Sequence, residues 1–188
     1  MFKKLMLVGL VLMMLAVLLP VASAKAAPLN DVPTPGSGKN AYPRVEKAFQ
    51  RVKNWYNKQG EFLAKSGEFI SKAENFLAKA EEKNLDTSSL RGLLDSFANS
   101  IPAVQAAHDR AGAIISAHNG FADNGKVTDI TAAALTVKDA ASALQEGRQA
   151  HLGKGKALAE AMRAFWQANK PNRSKKGTDT LTPVPNEH

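Results

Sequence analysis

Apolar residues recur at threes, fours and sevens along most of this chain, and the run FLAKSGEFISKAENFLAKAEE repeats one seven-residue phrase three times from Phe62 to Glu82. Between Tyr42 and Asn84, Val45, Phe49, Val52, Tyr56, Leu63, Ile70 and Leu77 follow one seam, which predicts a helix over 42–84. A second column, Trp55, Phe62, Phe69 and Phe76, stands beside it, with a small one at Ser66, Ala73 and Ala80. One apolar column suits a two-stranded zipper, whereas two columns plus a small one are wide enough to touch two neighbouring helices.

A second helix is predicted over 87–118. It follows the capping signal Leu85-Asp86-Thr87 and carries Leu90, Leu94, Phe97, Ile101, Val104, Ala111 and Ile115,. Pro102 removes the hydrogen bond to the carbonyl of Ala98, so this helix should break near Ser100. The third, over 129–169 from a Thr128 or Asp129 cap, has Ile130, Val137, Leu144, His151, Leu158 and Phe165 seven apart. Its second column, Ala134, Ala141, Arg148, Gly155 and Met162, is small or polar, so the helix can lie close between the aromatic rows of the first. Alternating β-branched runs are missing from the sequence. The expected fold is all-α: an elongated antiparallel three-helix up-down-up bundle with heptad-like packing, one domain over 42–170.

The ends read differently. Residues 1–24 place Lys3 and Lys4 before an apolar run of 15 residues, Leu5 to Leu19, and then Ala22-Ser23-Ala24. That is the pattern of a cleaved secretory signal peptide, too short for a spanning helix of about 20 residues. It implies secretion or a periplasmic location. Residues 25–41 and 171–188 each hold three prolines among polar residues, and are expected to be a flexible lead and a disordered tail,.

Charge and chemistry narrow the classes. Cleavage after Ala24 would remove Lys3 and Lys4 and no acid, lowering the formal charge from +8 to +6. A basic chain favours anionic partners, and the candidates are an anionic envelope polymer, a lipid surface or a protein, with no specific nucleic acid indicated and a homodimer compatible with the pattern. No cysteine occurs, which excludes disulfides, thiolate metal sites and covalent c-type haem. The loop Phe121-Ala122-Asp123-Asn124-Gly125-Lys126 is a turn, since in a calcium-loop alignment Gly120, Ala122 and Thr131 bring no carboxylate. Glu-x-x-His, His-x-x-x-His and Gly-x-Ser-x-Gly are all missing, and Gly153-Lys154-Gly155-Lys156 lacks the rest of a phosphate loop,. An enzyme is therefore not expected, nor a cofactor or metal.

Two candidate sites remain. Lys58, Lys65, Lys72 and Lys79 form a basic face, with Glu61 and Glu68 four residues before Lys65 and Lys72 in the favourable order,. Such a face is solvated surface or a binding stripe. If loop midpoints set the levels, residue numbers level with one another sum to about 171 for helices one and two and about 247 for two and three. His108 then lies beside Leu63, and His151 beside Asp95 to Phe97, roughly 12 residues or ~18 Å away. The same levels gather Gly67, Phe69, Pro102 and Gly147 at mid-bundle, where Arg148 and His151 would face Asp95 or Asn99 in a polar layer that binds a small anion or acts as a hinge. The expected function is an exported, non-enzymatic binding or scaffold protein acting through its basic surface. The alternative is a carrier or lipid-surface protein meeting apolar ligands with the row Trp55, Phe62, Phe69 and Phe76.

Overall fold

A computed structural model describes residues 41–169. The expected signal peptide at 1–24, the lead up to residue 40 and the tail at 171–188 lie outside the described residues. Five helices follow one another: α1 (Ala41–Glu81), α2 (Ser88–Ala98), α3 (Ile101–Ala117), α4 (Ile130–His151) and α5 (Lys154–Ala168). They make three arms, α1 alone, α2 with α3, and α4 with α5, packed on one another as an all-α bundle. α3 lies along α4 and α2 along α5, while α1 packs against α2, α3 and α4. Among the described residues there is no strand, and a lone antiparallel bridge joins Phe121 to Val127.

Both turns are stitched by side chains. Asp86 accepts hydrogen bonds from the Ser88 amide (3.0 Å) and hydroxyl (2.7 Å) at the start of α2. Glu81, at the end of α1, takes Arg91 in a two-pronged grip, Nε and Nη2 each at 2.6 Å, and also accepts from the Thr87 hydroxyl. Arg91 and Thr87 hold the Glu81 carboxyl well below the usual carboxylate range, at about 2, because both favour its charged form. Asp129 caps α4 by accepting from the amides of Thr131 (2.8 Å) and Ala132 (3.1 Å),.

The break in the second arm falls at Asn99–Ser100, where Ser100 Oγ donates to the Phe97 carbonyl (2.6 Å) and Pro102 sits in the first turn of α3,. A second break corrects the expected continuous helix over 129–169: α4 stops at His151, and Gly153 takes a left-handed φ of 77° before α5 begins. The heptad seam Leu144, His151, Leu158 runs straight through, which is why periodicity alone gave no warning.

The core is divided. One apolar cluster joins Val45, Phe49 and Val52 of α1 to Ala111, Phe121, Val137, Ala140 and Leu144. The other joins Phe69, Phe76 and Leu77 to Leu90, Leu94, Phe97, Leu158 and Met162. In the first, α4 contributes mostly alanines, which lets it lie close to α1 and α3. Phe121 folds back from the α3–α4 loop to stack on Phe49 at 4.1 Å between ring centres. The loop is therefore lopsided, and a level map drawn from its midpoint is displaced.

Candidate functional site

The expected polar layer is not closed in the way the sequence suggests. Asp95 and Asn99 are exposed on α2 and at its end, and Arg148 and His151 are half-buried on α4. Among the described residues no hydrogen bond or ion pair joins either of the first two to either of the second. His151 turns toward α1 instead. Its ring stacks on Phe62 (4.6 Å, 21°), and its Nδ1 lies 2.9 Å from the Gly147 carbonyl.

A different polar level lies about one turn away, toward the start of α1. Gln59 is 6% exposed and donates from Nε2 to the Leu144 carbonyl (3.3 Å), while its Oε1 is buried without a partner. His108 is 8% exposed, its ring lies parallel to Tyr56 at 4.0 Å, and its Nδ1 is likewise buried and unpaired. Burial pushes the His108 imidazole below its ordinary value of 6.5, against a smaller opposing pull from Asp109, because the low-dielectric interior disfavours the charged ring.

Each polar side chain of this level rests on a glycine of a facing helix. A methyl on Gly60 would lie 3.3 Å from His108, one on Gly147 2.7 Å from Gln59 Nε2, and one on Gly112 2.8 Å from the Tyr56 hydroxyl. With His108 beside Gly60 and His151 beside Phe62, the two histidines are set about one helical turn apart along α1. This corrects the ~18 Å expected. The lopsided α3–α4 loop shifts α3 along its neighbours, so Ala107 now faces Gly147.

The level is visible in the sequence pattern. Gln59 interrupts the buried column Val45, Val52, Gln59, Ser66, Ala73, Ala80, and His108 interrupts Leu94, Ile101, His108, Ile115. A polar residue at a heptad core position is a register device or a functional group, and either is informative.

Of the expected basic face, Lys58, Lys65 and Lys79 are exposed and Lys72 is half-buried in an ion pair with Glu68. The Glu61–Lys65 pair does not form. The column is longer than four, since Arg44 and Arg51, both exposed, continue it toward the helix start. Six basic residues thus stand seven apart on one unbroken helix. Lys72 alone among them is ion-paired within the described residues. The neighbouring aromatic row turns inward: Phe69 and Phe76 are buried, and Phe62, Phe69 and Phe76 meet Phe97 or Phe165 edge-on.

Elsewhere, a shallow cleft of about 200 Å³ lies between Phe49, Lys53, Ile115, His118 and the 122–125 turn. Among the described residues no three His, Asp or Glu side chains converge as a metal site would require, and no helix is long and apolar enough to cross a membrane. Fold and surface together define a helical bundle with a divided core, a buried polar level and one basic edge. Comparison with protein-family models, with curated proteins and with solved structures finds no match to the chain.

Proposed function

We propose that the chain is an exported, non-enzymatic binding protein whose working surface is the α1 stripe, and that its partner is an extended anionic polymer. The observation that carries this is the file Arg44, Arg51, Lys58, Lys65, Lys72, Lys79 at seven-residue spacing, spanning ~52 Å of one unbroken helix at ~10 Å per step,. Each step exceeds the screening length of about 8 Å at physiological salt, so a compact anion would meet one charge while a polymer would gather several. A lipid surface would need apolar anchors beside the cations. Here the adjacent aromatic row faces the core, which favours the polymer over the lipid-surface and carrier readings.

Binding to inorganic polyphosphate tests the reading. With all six cations engaged, affinity should fall by about 2.5 to 3 orders of magnitude between 50 and 200 mM salt. The triple charge reversal Arg44→Glu, Arg51→Glu, Lys58→Glu should abolish most binding without changing the melting temperature, since all three side chains are exposed,. Salt-independent binding, or a variant that binds as well as the parent, would sink it. Tighter capture by anionic vesicles than by the polymer would favour the lipid reading. Export belongs to the same proposal, and N-terminal sequencing of chain recovered outside the cytoplasm should begin near Lys25.

A further inference from the structure

We propose that the Tyr56–Gln59–His108 level is a proton-sensitive joint, at which the contact of α1 with α3 and α4 loosens locally in mildly acidic solution while the apolar clusters on either side stay folded. Gln59 and His108 lie between the two clusters and belong to neither, while Tyr56 packs on the edge of the first. Near this level, both other arms are interrupted, at Asn99–Ser100 and at Leu152–Gly153. α1 alone runs through unbroken, so the two halves of the bundle are joined here by one continuous helix and by the contacts of this level.

His108 is the group that senses the proton. A neutral imidazole with its hydrogen on Nε2 leaves Nδ1 as a buried acceptor with no partner. Protonation places a second N–H there, and a full charge, where no hydrogen-bond partner meets it among the described residues. From α1 the ring meets Tyr56 and Gly60. From its own helix Asp109 is the one opposing charge, and that carboxylate accepts from Gln105 (2.7 Å) on the exposed side. On α4, Gly147 lies against Gln59 and against Ala107, the residue before His108; of its neighbours, Glu146 is exposed and engaged by Arg110, and Arg148 makes no ion pair among the described residues. Gln59 Oε1, the other unpartnered atom, is not hydrogen-bonded to the ring.

The direction follows from linkage. Because the folded imidazole is held below 6.5, the closed state is fully favoured above that pH and loses ground as pH falls toward the folded value,. The shifted carboxylates Glu46, Glu68, Glu81 and Asp86 all titrate below 4.5. Between pH 5 and 7 they stay charged.

Hydrogen exchange of the full chain at pH 7 and pH 5, corrected for the intrinsic rate, tests the joint alongside an NMR titration of His108. Protection of amides around 56–60 and 107–112 should fall by about tenfold for each pH unit below 6.5 until the folded value is reached. Amides of 73–77 and 90–94 should hold theirs. In His108→Phe, which keeps the ring stack on Tyr56 and removes the titration, the loss should vanish. An imidazole that titrates at or above 6.5, as it would if the Gln59 carbonyl swung round to accept from it, overturns the proposal, and so does a loss of protection that persists in His108→Phe.

Discussion

Gly147 and Gly67 both sit inside helices, yet alanine should act on them in opposite directions. At Gly147 the added methyl would press on Gln59 Nε2 at 2.7 Å and on Ala107 at 3.1 Å, displacing the amide from its bond to Leu144. Overpacking costs about 1–3 kcal/mol, against a helix-propensity gain of at most about 1. At Gly67 nothing among the described residues lies within 4 Å of the added methyl, so only the gain remains. Urea titrations should therefore show Gly147→Ala destabilised by about 1 kcal/mol and Gly67→Ala stabilised by about 0.5–1 kcal/mol. A stabilised Gly147→Ala would mean that α4 does not approach α1 as closely as the contacts require. Spacing in the sequence cannot separate these two glycines. What distinguishes them is the partner across the interface, and that depends on an inter-helix register set by a loop whose Phe121 folds inward.

At the scale of elements, the two interruptions differed in how plainly they were written. Pro102 lacks the donor for a bond to Ala98, a covalent fact that holds in any context, and the second arm does restart beside it. Gly153 costs a helix only about 1 kcal/mol, too little to override a seam that continues at His151 and Leu158. The same weak penalty makes the break testable. At a φ of 77° any side chain meets its own backbone, and nothing else among the described residues lies within 4 Å of the added methyl. Gly153→Ala should cost about 1–2 kcal/mol through the left-handed conformation alone. A more stable Gly153→Ala would show instead that α4 and α5 can fuse into one helix at no loss to the packing of α5 on α2. The expected polar layer failed for a related reason. Asp95, Asn99, Arg148 and His151 share a height only on the midpoint map; with Ala107 facing Gly147 and Phe97 meeting Gly155, Asp95 stands roughly nine residues, ~13 Å, from the level of Arg148,.

For the whole molecule, the class of fold was legible because three amphipathic stretches with short connections leave few ways to bury their faces. The division of its core was not, since it depends on Gln59 and His108 falling at one level from different helices. The division has an energetic consequence. Phe97 is 1% exposed and meets Phe62, Phe69 and Gly155, so it ties α2 to α1 and to α5. Its replacement by alanine should cost about 3–5 kcal/mol. That loss should be local: α2 packs on α5 and α3 on α4, with the polar level between the two clusters they help to form. Native-state hydrogen exchange of Phe97→Ala should show α2, α5 and the end of α1 opening at a much lower free energy, with α3 and α4 keeping the protection of the parent. A uniform fall across all five helices would mean that the aromatic and glycine contacts of the polar level bind the halves into one cooperative unit. In that case the joint proposed at His108 could not open without unfolding the chain, so this exchange pattern decides whether a local response to protons is physically available to the bundle.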